Sequence, residues 1–446
     1  MNWTGQTILV LGLGSSGLAA VRWLHQRGAQ VRVADQSIAP PGLQALQVCL
    51  PDVPVNLGAW RAEDFDWAAY IVISPGVPMA QDIIQQAIQR GVRVWSDIEV
   101  FARAVSSSAK VIAITGSNGK STVTSMVAAM CTAAGLSVRE AGNIGVPVLD
   151  VLADDVDVFV LELSSFQLEA IYSLRSDAAV LLNVSEDHLD RYADMQAYTT
   201  AKARIYQGAA LQVVNRDDVR ALQLAQHTGA QVSFGLNPPV REQDMGVVDG
   251  FMCRGAIRLL PVTALQVTGR HNVSNALAAW ALCHAMGLPD EPLAEALRAF
   301  TGLAHRVQWV AQKGGVNFYD DSKGTNVGAT VAAVQGMSQP IILIVGGEGK
   351  GQDFTPLASA VDRHVRAVVQ IGRDGPLIAR ALVDTPIPVL RAQSMHEAVE
   401  LAFAQAKPGD AVLLSPACAS FDMFDNYVHR ARVFVQAVMA LAKEST

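Results

Sequence analysis

The feature that most constrains this chain is a repeating order: a short Val/Ile/Leu run, a turn holding Gly or Ser, then a helical stretch. The runs fall at 8–11, 31–34, 70–73, 111–114, 158–163, 180–184, 341–345, 368–371 and 412–414. Strand alternating with helix implies βαβ units and parallel sheets. Strands covered on both faces are apolar throughout, and the composition agrees: half the residues are hydrophobic and 17% are charged. That balance excludes a disordered chain. At roughly 100–200 residues per domain, 446 residues predict about three α/β domains.

Composition shifts place the boundaries. The first domain ends near Asp97, just before Ser106, Ser107 and Ser108, and a second break falls near Gly302. The expected domains are therefore 1–98, 99–302 and 303–446. Residues 231–268 lose the rhythm and suggest irregular strands with a hairpin at Asp249 and Gly250, followed by a helix over 272–285 and another over 293–300. A net charge of −7 argues against a protein that grips a nucleic-acid backbone. No apolar run reaches the roughly 18 residues that a membrane helix needs. Residues 1–24 lack the basic start of a leader, and Gly12, Gly14 and Gly17 break the apolar run. Five cysteines, odd in number and never at metal spacing, suit reduced thiols in the cytoplasm.

In parallel sheets ligands sit at the carboxyl ends of strands. The sharpest signal there is Gly116-Ser-Asn-Gly-Lys-Ser-Thr122, between the run 111–114 and a helix. Glycines let backbone N–H groups face a phosphate, the helix N-terminus favours an anion, Lys120 adds a point charge, and Ser121 would reach magnesium. Ile114 stands where the common phosphate loop has its first glycine, so this loop is a variant. The alternative is a Gly-rich turn before a helix. Glu162 ends the next run and could hold magnesium or merely cap a turn. His188, after the run 180–184, is a metal ligand or a satisfied loop residue. Lys202 lies on a helical stretch where a lysine ordinarily faces solvent.

At the front, Gly12, Gly14 and Gly17 follow a strand, and Asp35 closes the next one. This is the spacing of a dinucleotide fingerprint, equally suited to a nucleotide sugar or a structural turn. Ser74, with Pro75 and Gly76, could line the same cleft. The last third holds three polar loops after apolar strands: 319–326, 346–353 and 414–421. Lys323 and Lys350 in them could meet anionic groups or be solvated. Cys418 has no adjacent base and reads as a structural thiol.

Together these segments resemble the Mur ligases of bacterial peptidoglycan synthesis over essentially the whole chain. The superfamily shared with folylpolyglutamate synthases is carried by 115–122, by His271, Asn272 and Asn275, by Arg306, and by 320–323. The loops at 12–17, 74–78, 142–145, 188–191, 346–351 and 414–421 are similar to the D-glutamate-adding branch. The resemblance implies a Rossmann-like N-terminal domain, a central P-loop-type ATP-binding domain and a Rossmann-like C-terminal domain. It implies a cytoplasmic, monomeric ligase for cell-wall precursors that joins D-glutamate to UDP-N-acetylmuramoyl-L-alanine through an acyl phosphate, with ATP and two magnesium ions.

Site residues follow from the same resemblance. ATP would meet Gly116, Ser117, Asn118, Gly119, Lys120, Ser121, Thr122, Asn272, Asn275, Arg306 and Asp321. The nucleotide sugar would meet Ser15, Ser16, Asp35, Ser74, Asn143 and His188. The residues usual after Asp35 are replaced by Gln36 and Ser37, which puts uracil contacts there in question. D-Glutamate would meet Lys323, Thr325, Lys350, Ser420, Phe421 and Tyr427. Ser121 with Glu162, and His188 with a carbamylated Lys202, would hold magnesium, so Lys120, Glu162, His188 and Lys202 form the catalytic set. Domain closure about hinges near Asp97 and Gly302 is expected. Two other classes remain open at this point: a nicotinamide-dependent oxidoreductase built on Gly12–Gly17, and a nucleotide switch that joins nothing.

Overall fold

The structure, a computed structural model, describes residues 1–225 and 229–441. Three sheets follow one another along the chain. The first holds β1 (Thr7–Leu11), β2 (Gln30–Asp35), β3 (Val55–Leu57), β4 (Tyr70–Ile73) and β5 (Arg93–Ser96), all parallel in the order β3-β2-β1-β4-β5. Strand order reverses between β1 and β4, and the loops after these two strands open a crevice there. Gly17 has to be glycine, because a Cβ on it would stand 1.9 Å from the carbonyl oxygen of Gly12. The helix Ser15–Gln26 is thereby seated directly on the loop that follows β1.

The central sheet holds β6 (Lys110–Thr115), β7 (Val138–Gly142), β8 (Val158–Glu162), β9 (Ala178–Leu181), β10 (Leu211–Asn215), β11 (Ala230–Phe234), β12 (Met245–Val248), β13 (Phe251–Arg254) and β14 (Ile257–Pro261). Its order is β14-β13-β12-β11-β10-β9-β6-β8-β7. The hairpin expected at Asp249 and Gly250 joins β12 to β13, with φ of +50° and +76° at the two turn residues. The third sheet holds β15 (Gln308–Lys313), β16 (Val316–Asp320), β17 (Ile341–Gly346), β18 (Val365–Ile371), β19 (Val389–Arg391) and β20 (Ala411–Leu414), in the order β15-β16-β20-β17-β18-β19. The three polar loops of the last third thus leave adjacent strands.

The run 180–184 differs from its expected form. The strand stops at Leu181, and the backbone beyond it bonds the phosphate loop: Leu182 N donates to Thr115 O over 2.9 Å, and Asn183 O accepts from Ser117 N over 3.0 Å. The last three residues of the run therefore lie beyond the strand, and Leu182 and Asn183 support a loop rather than extend a sheet.

The first two sheets are stitched by the segment between them. Glu99, fully buried on the short helix Asp97–Ala102, accepts from the backbone N–H groups of Tyr172 and Ser173 over 2.8 and 2.9 Å, and from the Ser173 hydroxyl over 2.8 Å. It also pairs with Arg103 over 2.6 Å. Arg22 adds a two-pronged contact to Asp150 across the same seam. Glu99→Ala leaves two N–H groups and Arg103 without their buried acceptor, so it should lower stability by about 2 kcal/mol, read from urea unfolding.

Candidate active site

The phosphate loop leaves β6 and enters the helix Lys120–Ala133. Gly119 takes φ +85°, and a Cβ there would lie 2.6 Å from Oδ1 of Asn275, so loop and nucleotide-side helix meet at a residue without a side chain. Asn183 holds the loop from the neighbouring strand end, its Oδ1 accepting from Asn118 N over 2.8 Å. Lys120 Nζ bends back to donate to the carbonyls of Gly116 and Ser117 over 2.7 and 3.0 Å. Burial holds its pKa below the usual lysine range.

A cavity of about 310 Å³ opens on one side of this loop, lined by Asn118, Gly119, Thr122, Asn272, Asn275, Arg306 and Asp321. Arg306 Nη2 donates to Ser121 Oγ over 3.3 Å, and its buried Nε has no partner. Asp321 is buried and accepts from Ser415 Oγ over 2.7 Å; desolvation pushes its pKa up to about 7. Asn118 and Asn326 exchange amide hydrogen bonds of 3.1 and 3.0 Å, tying the phosphate loop to the third sheet's side of the cavity.

A second cavity, of about 380 Å³, lies on the loop's other side and brings together Lys120, Asn143, His188, Lys202, Thr325, Lys350, Ser420, Phe421 and Tyr427. Lys202 does not face solvent: it is 2% exposed, and its Nζ donates to Gly116 O over 2.9 Å. Burial, reinforced by Lys120, drives its pKa well down. Burial also pushes His188 down to about 4, which keeps the imidazole neutral. Glu162, 1% exposed, accepts from Asn143 Nδ2 over 2.7 Å through one oxygen, and its other oxygen has no partner. Lys323 Nζ reaches Tyr427 Oη over 3.2 Å. Phe421 is 71% exposed at the cavity's mouth.

A third cavity, of about 450 Å³, lies in the crevice of the first sheet and joins Ser15, Ser16, Asp35 and Ser74. Asp35 is engaged there by its own loop, accepting from Leu13 N over 2.6 Å and Ser37 N over 2.8 Å.

Several residues at the site lie outside the set expected from sequence. Asp187 accepts from Lys350 and, over 3.2 Å, from Asn326. Tyr198 meets Ser117 Oγ over 3.0 Å and lines the second cavity. Arg430, wholly buried, donates to the carbonyls of Ser322, Cys418 and Ala419 and so clamps two of the polar loops together. Only Asp187 carried a usable signal, its place beside His188 after an apolar run. The Cys418 thiol is buried and pushed up to about 12, an inert group.

A phosphate loop walled between a nucleotide-sized cavity and a lysine-lined one, on stacked α/β units, defines a nucleotide-dependent group-joining enzyme. The chain belongs to the Mur ligase family: residues 6–96 match the MurD-like N-terminal domain, 114–283 the Mur ligase middle domain, and 305–418 the Mur ligase glutamate ligase domain. It is 55% identical to the UDP-N-acetylmuramoylalanine--D-glutamate ligase of Methylobacillus flagellatus, over 98% of this chain and 97% of that one. The protein of the same name from Nitrosospira multiformis is 51% identical over 99% and 97%. Among solved structures, a pseudomurein peptide ligase type C from Methanothermus fervidus shares the fold, with a TM-score of 0.63 at 18% identity over 98% of this chain and 100% of that one. The UDP-N-acetylmuramate-alanine ligase of Thermotoga maritima does so at 0.61 and 19%, over 97% and 99%.

The raised Asp321 makes stability depend on pH. Its folded form keeps a proton that the unfolded carboxyl, at 3.8, has lost. The resulting stabilisation is full below about pH 4 and disappears as pH rises through about 7. Asp321→Asn should therefore melt about 3 °C above wild type at pH 8 and together with it at pH 4, as read by calorimetry.

Proposed function

We propose that this chain joins D-glutamate to UDP-N-acetylmuramoyl-L-alanine while cleaving ATP to ADP and phosphate. One observation carries the reading: the same phosphate loop walls two cavities, with Asn118, Gly119 and Thr122 on one and Lys120 on the other. A γ-phosphate reaching past Lys120 would pass from the first cavity into the second. Full-length relatives at about half identity bear the corresponding name.

In this reading ATP occupies the first cavity, against Asn272, Asn275, Arg306 and Asp321, with the loop from Gly116 through Ser117 to Thr122 around its phosphates. The nucleotide sugar lies with its diphosphate on Ser15, Ser16 and Ser74, which reassigns the Gly12–Gly17 fingerprint from a nicotinamide cofactor. Its carboxylate enters the second cavity past Asn143 and His188 and attacks the γ-phosphate. Lys120 offsets the repulsion between the two anions. The D-glutamate amine then attacks the acyl carbon, and phosphate leaves from the tetrahedral intermediate. Lys323, Thr325, Lys350, Ser420, Phe421 and Tyr427 hold the amino acid, and Lys350 must exchange Asp187 for a substrate carboxylate.

The unpartnered oxygen of Glu162 and the neutral imidazole of His188 fit divalent cations. Magnesium at Ser121 and Glu162, and at His188 and carbamylated Lys202, would neutralise phosphate charge during transfer. Among the described residues no group of three or more His, Cys, Asp or Glu side chains could hold a metal, so phosphate oxygens would complete the coordination. Depressed basicity gives Lys202 the free amine that adds to carbon dioxide, releasing a proton.

We place the domain boundaries at 98 and 302, with hinges at Asp97 and Gly302, and take the enzyme as a cytoplasmic monomer whose three cavities lie within one chain. No helix among the described residues is long and apolar enough to cross a membrane.

Purified chain given ATP, UDP-N-acetylmuramoyl-L-alanine and a panel of amino acids should release phosphate and form a new amide with D-glutamate. Stimulation by another amino acid instead would reject the assignment. Lys120→Ala should abolish turnover, and near-normal turnover would dismiss the phosphate-loop role. Lys202→Ala should lose activity that acetate or formate partly restores; no recovery would remove the carbamate from the mechanism.

A further inference from the structure

A fourth cavity, of about 450 Å³, lies on the seam between the first two sheets and shares no lining residue with the three described above. Trp3, Trp23 and Arg27 line it from the first unit, Arg103 from the connecting segment, and Leu152 and Asp154 from the central unit. The helix Ser15–Gln26 separates it from the crevice: Ser15 at the helix start lines the crevice, and Trp23 stands about 12 Å further along.

This lining is rich in donors that have nothing to donate to. Trp23 is 5% exposed, and its indole N–H, which can only donate, has no partner among the described residues. The buried Nε of Arg103 has none either. Arg103 gives Nη2 to Glu99 over 2.6 Å, but that buried carboxylate is already shared with two backbone N–H groups and a hydroxyl. Arg27 stacks on the Trp23 ring, its Cζ 3.7 Å from the ring centre, and donates from Nη1 to Trp23 O over 3.3 Å. Among the described residues that line the cavity, Asp154 is the one carboxylate, against two guanidinium groups. Spare N–H groups beside guanidinium forks call for a partner that only accepts, which is the chemistry of an oxyanion.

We propose that the seam cavity is an anion site separate from the reaction, taking a compact ligand that carries two or more phosphate or carboxylate groups. Its oxygens engage Arg27 and Arg103, and the Trp23 N–H gains the acceptor it lacks. Because these residues come from the first unit and from the segment joining it to the central one, the ligand reinforces the seam that Glu99 stitches.

Calorimetric titration of the full chain with inorganic pyrophosphate, and separately with citrate, at constant ionic strength tests this. A saturable event with a Kd below about 1 mM is expected. Arg27→Gln and Arg103→Gln should each weaken it about tenfold, and Trp23→Phe, which keeps a ring under Arg27 but removes the donor, about threefold. Lys120→Ala should leave it unchanged, which separates it from pyrophosphate held by the phosphate loop. Arg27 is exposed and lies outside the three other cavities, so Arg27→Gln should fold and turn over like wild type even where Arg103→Gln, which releases Glu99, does not fold. A response to pyrophosphate alone assigns the site to phosphoryl groups, to citrate alone to carboxylates, and to both to oxyanions in general. No saturable binding, binding equally strong in Arg27→Gln, or binding lost in Lys120→Ala overturns the proposal.

Discussion

Two lysines, Lys202 buried and Lys120 half-buried, share one carbonyl oxygen, and the centre of the molecule is arranged around that contact. Lys120 and Lys202 both donate to Gly116 O, over 2.7 and 2.9 Å. Two ammonium groups on one acceptor, out of water, repel each other strongly, so the pair is relieved by one of them giving up its proton. Lys202 is the more depressed, and Lys120 is among the causes. Both are drawn by Glu162 and Asp187, which face the same space. His188 is held neutral by burial against the pull of Asp187, adding no further positive charge. The cluster therefore presses Lys202 toward its free-amine form beside Lys120 on the phosphate loop. Loop, strand end and helix must all be in register for that to happen.

The third sheet completes this centre. Asn326, at the start of the helix Val327–Gly336, accepts from Ala329 N as its cap while donating to Asn118 and Asp187. Lys350 pairs with Asp187, and Asp353 N reaches Glu186 over 3.2 Å. One stretch of the central unit, 186–188, thus serves as the landing strip for two loops of the third. These contacts are polar, and cavities open on either side of them.

Much of the fold was legible because buried parallel strands write themselves as apolar runs, and the phosphate loop because its chemistry needs adjacent residues. What escaped has physical reasons. β3 and β19 are only three residues long, and the pair β15–β16 is half exposed with a mixed pattern. Lys202 read as a solvated residue because its helix carries Gln196, Thr199 and Thr200, and its burial comes from tertiary packing alone. Arg430 sits in a C-terminal helix 108 residues from Ser322, which lies in one of the two loops it joins.

The net charge of −7 conceals how the site attracts anions. Most buried charges in proteins are neutralised by an opposite charge, which also cancels their reach. Here Lys120 and Arg430 are satisfied chiefly by carbonyl oxygens: Gly116 and Ser117 for the lysine, Ser322, Cys418 and Ala419 for the arginine. Carbonyl dipoles supply the hydrogen bonds without cancelling the charge. Arg430 feels that burial, its pKa falling to about 10, yet stays protonated at neutral pH. Positive potential therefore survives in the interior of an acidic shell, directed at the cavities by the loops that carry it. Lys350 is the exception, paired with Asp187, and it is also the lysine that an incoming amino acid would have to win from a protein carboxylate.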